Sequence, residues 1–165
     1  MENIKTNQDF EKEIAQLDQN LKGAAKWFYW IAGLSVINTL INYLEGGVSF
    51  IIGLGITQLI EGIVYDASTE FKLAALVIEI LISGMFAIFG YFAIKREKWA
   101  FIVGMIFYFM DGLIFLLVND WLSIGFHAFV LFSLFSGVKS LKKIEELEYV
   151  HSGGLSQIQK ELSKT

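Results

Sequence analysis

Two ionisable side chains lie inside long apolar runs of the sequence, and their positions predict that they meet. Asp111 lies in the apolar segment Trp99–Val118 and His127 in the next one, Trp121–Val138. Only Asn119-Asp120 separates the segments, so two antiparallel neighbouring helices are predicted. At a rise of about 1.5 Å per residue, the two side chains then lie within roughly 2 Å of the same depth. A carboxylate beside an imidazole can share a proton, bind a cation or join two helices by a hydrogen bond.

The distribution of charge points to a membrane. A helix needs about 20 mostly apolar residues to cross the hydrocarbon core of a bilayer. The chain is 55% hydrophobic and 18% charged, and its charges concentrate in residues 1–26, in residues 95–98 and after residue 138. Segments that are apolar on all faces are typical of helices in lipid, because a helix of a soluble protein has a polar face toward solvent. The sequence therefore predicts an all-α integral membrane helical bundle.

Composition and motifs exclude several kinds of chemistry. The 165-residue chain has no cysteine, which rules out disulfides, thiolate metal ligands and cysteine nucleophiles. Its net charge is −4, and no basic patch with interleaved aromatic residues stands outside the apolar segments, so nucleic-acid binding is not expected. None of the intramembrane carboxylates has the Glu-x-x-His spacing of helical metal sites, and the Gly-x-Ser-x-Gly elbow of serine hydrolases is absent.

Five apolar segments are predicted, and one differs from the rest. Trp27–Leu44, Leu73–Ile94, Trp99–Val118 and Trp121–Val138 are expected to span the membrane. Val48–Tyr65 is rich in glycine, and its uninterrupted apolar core is short. Such a segment is typical of a re-entrant or interfacial helix. The prediction is four transmembrane helices plus this one, with a five-span version left open.

The positive charges favour the four-span version. With four spans and cytoplasmic termini, twelve of the 13 Lys and Arg residues lie on the cytoplasmic side, and only Lys72 lies outside. With five spans and the N-terminus outside, eight lie inside and five outside. Cytoplasmic loops carry an excess of Lys and Arg. We therefore expect a multi-pass protein of a cell inner (plasma) membrane with both termini in the cytoplasm.

The chain divides into three predicted parts. Residues 1–23 form an amphipathic surface helix, residues 24–138 the transmembrane bundle and residues 139–165 a cytoplasmic helical tail with a break at Gly153-Gly154. The surface helix is predicted from residues that recur at helical spacing. They are Phe10, Ile14, Leu17 and Leu21.

The four-span topology brings polar side chains to one depth. Asn38 and Glu79 share with Asp111 and His127 a layer roughly 9–11 Å below the outer boundary, counted at helical rise. The glycine-rich segment would bring two further polar residues over this layer. The sequence thus predicts an outward-facing polar pocket as a candidate ligand-binding site and assigns no catalytic residue. Its predicted members are Asp111, His127, Glu79, Glu61, Gln58, Asn38 and Asn42.

Several functions remain open for this pocket. An ionisable residue inside a membrane is costly, roughly 2.5–3.5 kcal/mol for a central Asp on insertion scales, so such residues usually have a partner or a function. Three carboxylates and one imidazole also suit a divalent cation such as Mn, Fe or Zn, although no cofactor is evident. The leading prediction is a non-enzymatic small transporter, channel or sensor subunit. The alternatives are a structural or assembly subunit of a larger membrane complex and, third, an intramembrane hydrolase. The expected partners are the lipid bilayer and either a second copy or a larger complex.

Two stretches carry a resemblance. KWFYWIAGLS at residues 26–35 and GLGITQ at residues 53–58 resemble small uncharacterised bacterial polytopic membrane proteins. The resemblance implies a bacterial inner membrane and carries no named activity.

Overall fold

The computed structural model describes residues 7–45 and 53–162. In this part the chain forms five α-helices and no strand, so the all-α prediction is confirmed. The helices are α1 Asn7–Glu45, α2 Gly55–Val64, α3 Thr69–Ile94, α4 Lys98–Leu117 and α5 Trp121–Leu162.

Three of the helices are long and apolar enough to cross a membrane. They are α3, α4 and the part Trp121–Gly153 of α5. Aromatic and amide side chains such as Trp30, Asn38 and Asn42 lower the mean hydropathy of α1, which is not among the three. With 10 residues, α2 is about 15 Å long, half the thickness of a bilayer core of about 30 Å.

Two helices are longer than the sequence predicts. α1 has 39 residues and joins the predicted surface helix to the first apolar segment without interruption. α5 has 42 residues and continues through Gly153-Gly154, so the predicted break is wrong. A glycine inside a helix costs only about 1 kcal/mol, which tertiary packing offsets. That packing is present, because Leu141 is buried in the core and the ring of Phe10 stacks on His151 with their centroids 4.0 Å apart.

The helices pack as a bundle around an aromatic core. α1 lies along α3 and α5, α4 lies against α3 and α5, and the short α2 contacts α1, α3 and α4. Phe28 is fully buried and packs against Phe89 and Phe101. Glycines let the helices approach closely: a Cβ on Gly104 would stand 2.6 Å from the Phe28 ring, and a Cβ on Gly137 only 2.6 Å from the Cβ of Ala24.

The register of α1 against α3 follows from two contacts near opposite ends of their interface. A Cβ built on Gly90 would lie 3.2 Å from the Cβ of Phe28, and Glu79 lies beside Thr39. In both pairs the two residue numbers add up to 118, as expected for two antiparallel helices with one constant register. Between these two contacts, the relation gives the residue of α3 that lies level with each residue of α1.

The hairpin of α4 and α5 forms as the sequence predicts. Asn119 adopts a left-handed conformation with φ of 57°, which asparagine tolerates better than most residues. Asp120 then caps α5: its Oδ1 accepts the backbone N–H of Ser123 at 3.1 Å, and its Oδ2 accepts the Ser123 hydroxyl at 2.6 Å. These hydrogen bonds from Ser123 lower the pKa of Asp120. The short turn therefore brings the two helices side by side.

Candidate functional site

The structure brings Asp111 and His127 together, as their spacing predicts. Nε2 of His127 lies 3.0 Å from Oδ2 of Asp111, and the two side chains are 4% and 5% exposed. The imidazole is stacked on the Tyr108 ring, with a centroid distance of 4.2 Å, and also packs against Phe115 at 5.1 Å. The pair is thus enclosed by aromatic side chains.

Asp111 also caps the N-terminus of α2. Its Oδ2 accepts the backbone N–H of Gly55 at 2.8 Å, and its Oδ1 accepts the N–H of Ile56 at 2.9 Å. The first N–H groups of a helix have no partner within the helix, and a negative charge there is favoured by the helix dipole. The residue at the N-cap position, Leu54, forms no side-chain cap. A carboxylate of α4 therefore supplies the cap that the sequence of α2 lacks.

Two glycines make this contact sterically possible. A Cβ on Gly55 would stand 3.1 Å from the Asp111 carbonyl oxygen and 3.0 Å from the ring of Phe115. A Cβ on Gly112 would stand 3.1 Å from Cδ2 of His127. Gly55, the first residue of α2, and Gly112 of α4 thus allow α2 to dock on the α4–α5 hairpin.

The hydrogen bonds of His127 define the proton content of the pair. Nδ1 lies 2.8 Å from the carbonyl oxygen of Ser123, and because a carbonyl only accepts, Nδ1 carries a hydrogen. The contact between Nε2 and Asp111 then needs one further proton, held either by the ring or by the carboxyl group. In both cases the pair as a whole is neutral. Each polar group of the pair has a protein partner, so the cluster acts as a latch between α2, α4 and α5.

A separate cavity of about 350 Å³ opens between α1, α2 and α3. Apolar and tyrosine side chains form part of its wall, including Tyr43 and Tyr65. Its other polar lining comes from Thr39, Asn42, Glu61, Thr69, Lys72 and Glu79. By the α1–α3 register, Glu79 lies level with Thr39 at the inner end, and Lys72 lies about 10 Å further out at helical rise.

The two carboxylates of the cavity are buried without full pairing. Within the part of the chain that the structure describes, Oε1 of Glu61 and Oε1 of Glu79 are shielded from solvent and have no hydrogen-bond partner. Burial, and secondarily the neighbouring Glu79, raises the pKa of Glu61 to about 7. Lys72 does not pair with either, since its ammonium lies over the Tyr65 ring, 6.0 Å from the centroid. An unpaired buried charge costs several kcal/mol in an apolar medium, so a hydrogen-bond donor or a cation that pairs with these oxygens would be bound favourably.

The predicted single pocket is therefore divided in two. Asp111 and His127 belong to the latch, whereas three of the other predicted residues line the cavity, namely Asn42, Glu61 and Glu79. Asn38 is fully buried beside Gly53 and is not part of the cavity wall. The amide nitrogen of Gln58 is buried with no partner among the described residues.

Sequence reasoning missed part of the cavity wall. Thr39 recurs at helical spacing with the polar residues Ser35, Asn38 and Asn42 of the first apolar segment, and this pattern is a signal in the sequence. For Lys72 the sequence indicates only that it is the single cation on the predicted outer side. The tyrosines gave none, because aromatic residues near a membrane boundary usually mark an interface. The missed polar and aromatic residues are Thr39, Tyr43, Tyr65, Thr69 and Lys72, and the missed apolar ones are Val64, Ala75 and Leu76.

The described residues include no group of three or more His, Cys, Asp or Glu placed to hold a metal ion. The division of the predicted pocket explains this, because Asp111 and His127 lie in one cluster and Glu61 and Glu79 in another. A divalent cation at this site remains a prediction.

No protein-family model, curated protein or solved structure matches the chain. The resemblance of residues 26–35 and 53–58 to bacterial polytopic membrane proteins stays an expectation. The chemistry of the chain is argued from its own residues.

Proposed function

We propose that the protein crosses a plasma membrane four times, through α1, α3, α4 and α5, with α2 folded into the outer leaflet and both termini in the cytoplasm. Three of these helices are long enough to span, and α1 runs antiparallel to one of them in a constant register. This orientation would put twelve of the 13 Lys and Arg residues on the cytoplasmic side, which agrees with the excess of positive charge in cytoplasmic loops. A bacterial inner membrane is the location that the sequence resemblance implies.

The orientation is tested by cysteine labelling, since the chain has no cysteine of its own. Ser68 precedes α3 on the proposed outer side, and Ser152 lies near the end of α5 on the proposed cytoplasmic side. Ser68→Cys is expected to react with a membrane-impermeant thiol reagent in intact cells, and Ser152→Cys only after permeabilisation. The opposite pattern would contradict the orientation.

The cavity is the proposed binding site for a small ligand that carries an ammonium group. The observation that carries this proposal is the pair of buried oxygens of Glu61 and Glu79 without partners. An ammonium group offers three hydrogen-bond donors and a positive charge, which matches two carboxylates a short distance apart. A cavity of about 350 Å³ is within the range of small-molecule sites.

Other lining residues refine the class of ligand. The rings of Tyr43 and Tyr65 provide apolar and aromatic surface for the body of the molecule. Lys72, at the outer end, suits a ligand whose far end is neutral or anionic and disfavours a second cation. The proposed ligands are thus small amines or amino zwitterions. Such a site fits a small transporter, channel or sensor subunit, and the alternative of an assembly subunit stays a prediction.

Three probes of similar size test this proposal on the full-length protein in detergent. Phenethylamine carries an ammonium group, phenylalanine carries both charges, and phenylpropionate carries only the carboxylate. A ligand that binds only the folded state raises Tm by mass action. We expect at least one of the first two probes to raise Tm in a saturable way and phenylpropionate to leave it unchanged.

Matched variants identify the residues that bind. Glu61→Gln and Glu79→Gln are expected to reduce the response to the ammonium probe. Glu70→Gln is the control, because Glu70 is an exposed carboxylate of α3 outside the cavity. An equal response in Glu61→Gln, Glu79→Gln and the wild type would contradict the proposed site.

A further inference from the structure

A set of hydroxyl groups lies between α1 and α3 below the cavity. Ser35 and Ser83 are fully buried, and Thr39 is 3% exposed. In the described part of the protein, the hydroxyl oxygens of Ser35 and Ser83 lack a hydrogen-bond partner, as does Oε1 of the 2% exposed Glu79, and the Thr39 side chain lies beside the Glu79 carboxyl group. Buried polar atoms are nearly always paired, so three unpaired atoms in one interface require an explanation.

The register of the two helices brings these atoms together. Facing residues of α1 and α3 have numbers that add up to 118, so Ser35 lies level with Ser83, just as Thr39 lies level with Glu79. The two levels are four residues, or about 6 Å, apart along the helices. The four side chains therefore form one polar cluster, called the polar pit below, and two of its members, Thr39 and Glu79, also line the cavity.

Aromatic side chains close the inner end of this pit. The next level toward the cytoplasm pairs Ala32 with Phe86, by the same register. Phe86 is 2% exposed and packs against the rings of Phe89 and Tyr108. The polar pit thus adjoins the cavity through Thr39 and Glu79, which line both, and is bordered by aromatic side chains on the other side.

The composition of the pit indicates the ion that it suits. It offers only oxygen ligands and a single carboxylate, which favours a hard cation with one positive charge. A hydroxyl that ligates a cation can donate its own hydrogen to the carbonyl one turn earlier in its helix. A proton on Glu79 would neutralise that group but would leave Ser35 and Ser83 unexplained. We propose that Thr39, Glu79, Ser35 and Ser83 bind Na⁺ beneath the ligand cavity.

This inference rests on the proposed membrane arrangement and shares Glu79 with the proposed ligand site. Its test is therefore made without amine, on the full-length protein in detergent, with NaCl replaced by KCl at constant ionic strength. Tm of the wild type is expected to rise with Na⁺ in a saturable way beyond the effect of K⁺. Binding of radioactive ²²Na⁺, competed by unlabelled Na⁺ but not by K⁺, provides a second readout that needs no variant.

Two serine variants locate the ion. Ser35→Ala and Ser83→Ala remove one ligand each and are expected to weaken the apparent affinity for Na⁺ about tenfold or more, as loss of a hydrogen bond to a charged group does. Both should fold, because each deletes a buried group that has no partner. Ser133→Ala is the control, since the Ser133 hydroxyl donates to the Phe129 carbonyl at 3.1 Å on α5.

The results also separate this inference from the proposed ligand site. Glu61→Gln should keep the response to Na⁺, and the serine variants in KCl should keep the response to phenethylamine. Coincident curves in NaCl and KCl for the wild type would overturn the inference, as would an unchanged Na⁺ response in both serine variants. A pH-dependent Tm without any difference between Na⁺ and K⁺ would overturn it in favour of a proton.

Discussion

Asp111→Ala should release α2 from the bundle. Asp111 accepts hydrogen bonds from the N–H groups of Gly55 and Ile56 and forms a third hydrogen bond with Nε2 of His127. In the alanine variant the first turn of α2 has no cap, and His127 has no partner at Nε2. Because Glu61 is part of α2, release of this helix should also remove one wall of the cavity.

The magnitude follows from the number and type of these contacts. The Asp111–His127 contact joins α4 to α5 and does not depend on α2, so only the two hydrogen bonds to the N-terminus of α2 count toward its release. A hydrogen bond to a charged group contributes about 1.5–3 kcal/mol, so we expect Asp111→Ala to lower the free energy of α2 release by about 3 kcal/mol or more. Asp111→Asn retains one acceptor oxygen and turns the other into a donor that faces an N–H group, so about 1–3 kcal/mol is expected.

Thiol labelling measures this release directly. Thr57 lies in α2 and is fully buried, and Thr57→Cys introduces the single cysteine of the chain. In this background, Asp111→Ala should accelerate labelling about 100-fold or more and Asp111→Asn about tenfold, since 1.4 kcal/mol is a factor of ten.

A second aspartate provides the control. Asp120→Ala removes the cap of α5, so it should lower Tm without accelerating labelling at position 57. If Thr57→Cys reacts equally slowly with and without Asp111→Ala, the latch between Asp111 and α2 does not hold this helix and the reasoning is wrong.

Three further predictions concern packing and pH. Gly137→Ala should destabilise the protein by about 1–3 kcal/mol, because the new Cβ would collide with the Cβ of Ala24. Gly125→Ala is the control: a Cβ there has nothing within 4 Å, so this variant should be neutral or stabilising by up to about 1 kcal/mol. Thermal melts compare the two variants. The pKa of Glu61, raised to about 7, predicts that stability falls as pH rises from 4.5 through 7 while the amine response grows, and Glu61→Gln should flatten both profiles. The hydrogen bond from Lys22 lowers the pKa of Asp18, so Asp18 stabilises the folded protein above the ordinary pKa of a carboxyl group, and this stabilisation is lost as pH falls. Asp18→Asn should remove this stabilisation of about 0.2–1 kcal/mol, which thermal melts from pH 2 to 6 would measure.

The Asp111–His127 contact was predictable because it depends on one short turn. A two-residue connection makes the flanking helices antiparallel neighbours, and helical rise then gives the depth of each side chain. The apolar length of the segments likewise predicted α3, α4 and the first part of α5. Each of these inferences uses residues that are close in sequence or a property of a single segment.

The contacts of α2 could not be predicted in this way. The hydrogen bond from Gly55 to Asp111 joins residues 56 positions apart, and periodicity does not reveal which helix supplies a cap. The only signals were the glycines before α2 and the absence of a capping side chain at Leu54. Depth alone also grouped Asp111 and Glu79 in one pocket, because it takes no account of which faces the helices present to one another.

The central claim is that the cavity opens to the outside and binds an ammonium group through Glu61 and Glu79. Thr69 lines the cavity and is exposed, so Thr69→Cys reports on its occupancy. In intact cells, an impermeant thiol reagent should modify Thr69→Cys, and phenethylamine should slow this reaction. When Glu61→Gln is combined with Thr69→Cys, phenethylamine should no longer slow it. Modification only after permeabilisation, or equal rates with and without phenethylamine, would contradict the claim.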